Sequence, residues 1–355
     1  MTPEPNSDAA QPASSVPGGP ASSVPRTAPR AASVFDVAKA AGVSHQTVSR
    51  VLNGHPSVRP ATRQKVLDAM RALSYRPNLA ARALVTSRSR IIGILSTSSG
   101  EYGPASSISA VEAAARSRGY SVTIANADGL DQASIDEAIN HLVDLSAEGL
   151  VVIAPQLQVL ESLSNRSFSV PYVTLQTLAT VGASELALDQ VEGARIATAH
   201  LAELGHRRIG HLAGPTDWID ATSRLAGFVA ELEARRLPTG LVAQGDWSAA
   251  SGYRAAQELI ERGATAIFSS NDQMALGILH AASDGGLSVP QQLSVVGFDD
   301  TPEAAHYLPP LTTVRQDFAE SGRRCVALLL GEHEPPPSVL PALVPRASTA
   351  PPPAP

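Results

Sequence analysis

Cysteine is nearly absent from this chain of 355 residues, where Cys325 stands alone. A single thiol excludes an intramolecular disulfide and any multi-cysteine metal site. It fits a reducing compartment, with Cys325 read as a small core hydrophobe on a late helix. No run of about 18 apolar residues occurs, which excludes a membrane-spanning helix, and no apolar stretch follows a basic start, which excludes a secretory signal. A cytoplasmic protein with no membrane partner is the expectation. Catalytic signatures are missing too. The nine histidines are scattered, neither H-E-x-x-H nor G-x-S-x-G occurs, and no glycine-rich phosphate loop opens a helix. No cofactor, no metal and no enzymatic activity are therefore expected. Lysine is scarce as well, two against twenty-five arginines, which hints at a GC-rich genome and at nothing functional.

What is present is unevenly distributed. Residues 1–32 are almost all Pro, Ser, Ala, Gly and Thr, with no periodic apolar face to bury, and read as a disordered tail. From Ser33 to Arg90 there are ten lysines and arginines against Asp36 and Asp68, a net charge of +8. Residues 1–32 are neutral, so residues 91–355 carry −14 of the total −6. A short basic module on an acidic body points to a polyanionic partner for the module alone; on charge by itself, a solvated basic face reads equally well.

Inside the module, Ser33 and Asp36 have the spacing of a capping box, and Val34, Val37, Ala38 and Ala41 supply one apolar face. Gly42 stops this helix and Ser44 caps a second, His45 to Asn53. Val48, Val51 and Leu52 turn inward, leaving His45, Gln46, Ser49 and Arg50 outward near the helix start. Gln suits adenine, Arg suits guanine, and Thr47, Ser49 and Asn53 suit phosphate oxygens. A third helix, from about Ala61 to Leu73, closes a small core with Val66, Met70 and Leu73. Together these make a helix-turn-helix arrangement. The following segment, Tyr75 to Leu84, is too short and alanine-rich to stand alone as a helix. It reads either as a plain linker helix or as one that forms in a DNA minor groove, with Leu84 as an apolar wedge and Asn78 and Arg82 toward the groove or backbone.

From Arg90 onward, apolar runs alternate with amphipathic stretches. Ile91–Leu95, Ser121–Ala125, Leu150–Ala154, Tyr172–Leu175, Arg208–Leu212, Ala266–Phe268 and Leu293–Gly297 read as buried parallel strands. Helices are expected at Ile108–Arg118, Gln132–Leu145, Glu192–Leu204, Ser223–Arg235, Ser251–Arg262 and Gln273–Asp284. That rhythm means helix-covered parallel sheets, and its length suits two sheets facing one cleft. At predicted strand ends and in loops stand Arg224, Trp247, Asn271, Asp299 and Gln316. An Arg–Asp pair can grip vicinal hydroxyls and an indole can stack on a sugar ring. Singly, Arg224 also reads as a surface charge and Trp247 as a core aromatic.

The run Val34 to Ser44, followed by His45 to Asn53, resembles the DNA-binding headpiece of the LacI family. The likeness continues through Gly245–Ala249, Asn271–Gly277, Ser294–Asp300 and Pro310–Phe318, and so spans about Ser33 to Arg346. It implies an N-terminal all-α helix-turn-helix headpiece with a hinge helix, followed by a C-terminal α/β, two-lobed, periplasmic-binding-protein-like domain with parallel sheets. The implied organisation is a tail over 1–32, the DNA-binding domain over 33–77, hinge helix and linker over 78–90, the effector-binding and dimerisation domain over 91–346, and a disordered tail over 347–355. The resemblance adds Val34, Phe35, Ser44 and Ala81 to the DNA-contacting set. It places Arg224, Trp247, Asn271, Asp299 and Gln316 in an effector site, with Tyr102 to Pro104 in loops of the other lobe. The first lobe departs from the family pattern: Ile153 and Gln176 stand where a ligand-facing Asn and Asp are expected, and Leu188 where a Phe is. Tetrameric members end in an apolar heptad helix, whereas Pro335-Pro336-Pro337, a strand-like Leu340–Val344 and Pro351-Pro352-Pro353 allow no such seam. A homodimer on a pseudo-palindromic operator is implied, acting as a repressor released by a sugar-type effector. The alternatives are a ligand acting as corepressor or a sugar-modifying enzyme on the same scaffold.

Overall fold

The structure is a computed structural model that describes residues 32–52, 55–76, 88–164, 166–175, 189–332 and 340–353. The chain divides into two compact units, Met1–Leu79 and Ala80–Pro355.

The first unit holds α1 (Val34–Ala41), α2 (His45–Leu52) and α3 (Pro60–Ala72). Its capping box is complete, with Asp36 N donating to Ser33 Oγ and Ser33 N donating to the Asp36 carboxylate at 2.7 Å. Gly42 ends α1 at φ +66°, a left-handed position that a side chain would strain. Val37, Ala38, Val48, Val51, Val66 and Ala69 form the core. The sequence expectation erred at Leu73, which caps α3 and is exposed, while Ala69 takes the inward position.

The second unit contains two four-stranded parallel sheets. In lobe 1, β1 (Ile91–Ser96), β2 (Ser121–Asn126), β3 (Gly149–Ile153) and β4 (Tyr172–Thr174) run in the order β2-β1-β3-β4. Helices α4 (Tyr102–Ser117), α5 (Gln132–Asp144) and α6 (Leu157–Ser164) accompany them. Lobe 2 has β5 (Ile209–Ala213), β6 (Val242–Gln244), β7 (Ala266–Ser269) and β8 (Ser294–Val296) in the order β6-β5-β7-β8. Its helices are α7 (Gln190–Glu203), α8 (Ile219–Ala234), α9 (Ala249–Glu261) and α10 (Asp272–Asp284). Beyond them β9 (Thr313–Arg315) pairs antiparallel with β10 (Ala342–Val344), flanking α11 (Phe318–Leu329) in sequence.

The chain passes between lobes more than once. Helix α11 returns to lobe 1, where Cys325, Val326 and Leu329 join Ile92, Val151 and Ile153 in one core. Gly322 permits this docking, since a Cβ there would lie 2.6 Å from the Ala110 carbonyl carbon of α4. Burial pushes the Cys325 thiol up to about 12, so it packs as an inert apolar group. Lobe 2 is centred on a stack in which His211 lies 4.8 Å from both Phe228 and Phe268, ring centroid to centroid. Burial holds this imidazole down to about 3, and its Nδ1–H bonds the Phe268 carbonyl at 3.1 Å.

The sequence reading needs two corrections here. α4 begins at Tyr102 rather than Ile108, because Pro104 sits in the first turn, where a missing N–H costs nothing. The segment after Arg346 is not a loose tail over its described part. Val295 N donates to Ser348 O at 2.8 Å, the Ser348 hydroxyl donates to Val295 O at 2.6 Å, and Ala350 O meets His206 Nε2 at 2.9 Å. Its Pro, Ser and Thr content suits a disordered tail, but its backbone bonds along the edge of β8.

Candidate functional site

In the first unit, the tight turn ending α1 sets up α2 as an exposed edge. Ser44 caps α2, its Oγ accepting from Thr47 N at 3.2 Å and meeting Thr47 Oγ1 at 2.9 Å. His45, Gln46 and Arg50 are exposed, Thr47 and Ser49 are half-buried, and Val34 packs against the small core. Phe35 is 64% exposed and its ring lies 5.3 Å from that of His45, an apolar contact made in water. Among the described residues Lys39, Arg50, Arg59 and Lys65 are exposed and form no ion pair, so their charge is available to a polyanion. Asn53, Asn78, Ala81, Arg82 and Leu84 lie outside the described residues.

In the second unit the lobes meet at the carboxyl ends of their strands, where open parallel sheets bind ligands. Two backbone bonds stitch one side, Leu157 N to Asp217 O and Ile219 N to Pro155 O, both 2.9 Å. Between the lobes is a cleft whose free volume is about 30 Å³. Lobe 1 contributes Glu101, Tyr102, Gly103 and Pro104; lobe 2 contributes Trp218, Asp220, Arg224, Trp247, Asn271, Gln273 and Asp299.

Behind the lining, Arg224 and Asp299 close a ring of hydrogen bonds with two buried amides, Gln190 and Gln316. Arg224 Nε donates to Gln190 Oε1 at 2.8 Å, Gln190 Nε2 to Gln316 Oε1 at 2.8 Å, and Gln316 Nε2 to Asp299 Oδ1 at 2.7 Å. Arg224 Nη2 completes it, 3.5 Å from Asp299 Oδ1. The bonds run one way, from cation to anion, so each strengthens the next. The Arg224 Nη1 also donates to the Ser270 carbonyl, and its guanidinium stacks 3.9 Å above the Phe298 ring. Asp299 is held at φ +105°, a costly backbone for a residue with a Cβ. Burial raises its carboxyl to about 6 against the pull of Arg224 and Gln316. Behind it Asp272, raised to about 7 chiefly by burial and then by Asp299, accepts from Thr301 N and Thr313 Oγ1.

Trp247 forms one wall, also with a positive φ, +74°. Gly214 makes room for it, because a Cβ at that position would sit 2.1 Å from the indole. Trp218 meets Trp247 edge-on at 5.2 Å. Asn271 fixes the Trp247 loop: its Nδ2 donates to Trp247 O and Gln273 Oε1, both 3.0 Å, while its Oδ1 caps α10 through Met274 N.

The structure therefore brings Tyr102, Pro104, Arg224, Trp247, Asn271 and Asp299 to one cleft, with Gln316 behind them as a buttress. Tyr102 and Pro104 are helical rather than in a loop, and Arg224 sits in the second turn of α8 rather than at its start. Asn271 spends both its donors inside the protein. Ile153 is fully buried in the lobe 1 core, and Gln176 and Leu188 lie outside the described residues. Sequence reasoning missed Trp218, Asp220, Glu101 and Gln190. The available signal was their place just before or within the first turn of a helix, which for Glu101, Trp218 and Asp220 follows within a few residues of a strand's carboxyl end. Among the described residues no group of three or more His, Cys, Asp or Glu could hold a metal, and no helix is long and apolar enough to cross a membrane.

The family described as bacterial regulatory proteins, lacI family, matches residues 33–78, and the periplasmic binding protein-like domain matches residues 198–349. The chain is 35% identical over 300 residues to the lactose operon repressor of Escherichia coli strain K12, covering 84% of this chain and 83% of that one. It is 34% identical over 337 residues to the HTH-type transcriptional repressor PurR of Escherichia coli O1:K1 / APEC, covering 90% and 97%. Among solved structures it is similar to the lac repressor dimer bound to operator and the anti-inducer ONPF, with a TM-score of 0.79, 33% identity and coverage of 90% and 100%. It is also similar to the transcriptional regulator CelR–cellobiose complex, with a TM-score of 0.63, 30% identity and coverage of 89% and 99%.

Proposed function

The chain belongs to the LacI family of bacterial regulatory proteins, and from that premise we propose that it is a cytoplasmic repressor whose dimer leaves its operator when a saccharide enters the cleft. It is a DNA-binding transcriptional regulator with a ligand-binding domain, and its relatives are regulators rather than enzymes. The observation that carries the ligand reading is the buried ring of Arg224, Gln190, Gln316 and Asp299 beside Trp247. The ring fixes Arg224 and Asp299 as a rigid donor–acceptor pair beside an aromatic wall, chemistry suited to hydroxyls on an apolar sugar face. A dimer on operator and a bound disaccharide, as described for the two similar structures, support the same reading.

The free volume of about 30 Å³ is the room of one or two waters. A saccharide enters when the lobes part, which breaks the two backbone bonds between Pro155–Leu157 and Asp217–Ile219. Residues 77–87 join the two units in sequence, so a change in lobe angle reaches the headpieces through this segment. DNA is held by the N-terminal edge of α2, with Gln46 and Arg50 reading bases and Ser44, Thr47 and Ser49 on phosphates. Selection of DNA from a random library with the full chain tests the operator half of this proposal. A pseudo-palindrome bound by two chains is expected. Recovery of unrelated sequences, or of one chain per site, would count against it.

A further inference from the structure

The cleft is more acidic than its floor requires. Arg224 is its one cation among the described residues, and its guanidinium is already committed to Gln190, the Ser270 carbonyl and Asp299. Two further carboxylates, Glu101 from lobe 1 and Asp220 from lobe 2, line the same cleft without a hydrogen bond or ion pair among the described residues. Burial first, then the neighbouring Asp246 carboxylate, holds Glu101 above its usual range. Burial likewise raises Asp220 against the pull of Arg224. Both side chains are half-buried and line the cleft without a protein partner among the described residues, so a cation that enters it meets two unpaired carboxylates.

A second, independent feature points to a ligand. Trp247 is 6% exposed, and its Nε1 is buried without a hydrogen-bond partner. That lone donor needs an acceptor, such as a ring oxygen or hydroxyl. Trp218 stands edge-on to Trp247 and adds a second indole, whose face attracts cations as well as apolar C–H surface.

Resting on the saccharide reading above, we propose that the effector is an amine-bearing saccharide. Its ammonium sits between Glu101 and Asp220 against Trp218, and its ring oxygens accept from Trp247. Three protons on one nitrogen can satisfy two carboxylates from opposite lobes, so the cation bridges the cleft. Phosphorylated or carboxylated sugars are repelled by the same pair.

The test uses the full chain at pH 6.5 and isothermal titration with four probes. These are the disaccharide of glucosamine, its N-acetylated form, cellobiose and glucose 6-phosphate. The free amine is expected to bind at least about tenfold more tightly than either uncharged disaccharide, roughly the lower end of the coupling between close charges across a binding interface. That ratio should shrink with added salt and fall toward one in Glu101→Gln and in Asp220→Asn, with folding of both variants checked by circular dichroism. Cellobiose or the N-acetylated sugar binding as tightly as the amine would overturn the proposal while leaving the saccharide reading intact. Tight binding of glucose 6-phosphate would also overturn it. Failure of every saccharide to bind would overturn both readings together.

Discussion

Replacing Arg224 with Ala is expected to give a protein that binds its operator and no longer lets go when saccharide is added. Arg224 is 4% exposed and holds three groups at once, the Gln190 amide, the Ser270 carbonyl and the Asp299 carboxylate. Truncation removes the cation from a buried pair, which costs about 3–5 kcal/mol because the anion is left behind. Asp299, already raised to about 6 by burial, is then driven further up as the pull of Arg224 is lost. The ring opens, Gln190 and Gln316 lose their orientation, and saccharide affinity falls by roughly a hundredfold or more, on the order of two or more hydrogen bonds to charged groups. Operator binding belongs to the helix-turn-helix of the other unit, α1 to α3, and is expected to persist. Titration calorimetry on folded Arg224→Ala checks this directly. Wild-type saccharide affinity in the variant would remove Arg224 from the site.

The second large effect is expected at Arg50. It is exposed on α2, one turn beyond Gln46, and forms no ion pair among the described residues, so its fork of donors is free to meet guanine O6 and N7. Arg50→Ala should weaken binding to the selected operator by about 1–3 kcal/mol and relax the preference at one base pair per half-site. Because the side chain is exposed, helix content and melting temperature should not move. Fluorescence anisotropy on operator and on random DNA of equal length separates the two roles available to an arginine. Equal losses on both would assign Arg50 to phosphate alone.

Much of this architecture was legible in the sequence, and what escaped did so for physical reasons. Buried parallel strands read as continuous apolar runs, so β1, β3, β5 and β7 were visible. The sheet-edge strand β6 and the two-stranded partner β9 are three residues long and end on exposed Gln244 and Arg315, too short to show a period. The helix-turn-helix was plain because its caps, Ser33, Gly42 and Ser44, are local devices whose chemistry is written within four residues. Arg224, Asp299 and Asn271 stood out as polar residues at predicted strand ends, and the resemblance placed them in an effector site. Trp218, Asp220 and Glu101 lie in the cleft without belonging to any such motif, and only tertiary folding brings the start of α4 opposite the start of α8. Asn271 was expected in an effector site; in the fold it lines the cleft while its amide holds Trp247 in place. The stretch after Arg346 was expected to be a disordered tail, as its Pro, Ser and Thr content suggests. Its value is in backbone groups that composition does not display.

The most direct test of the account is a pair of titrations on the wild-type chain: saccharide affinity measured free and on operator, and operator affinity measured with and without saccharide. Binding linkage requires one coupling factor for both. The account predicts that a saccharide that stabilises the second unit weakens operator binding, and that operator weakens saccharide binding by that same factor. An operator affinity indifferent to every ligand that stabilises the fold would contradict it.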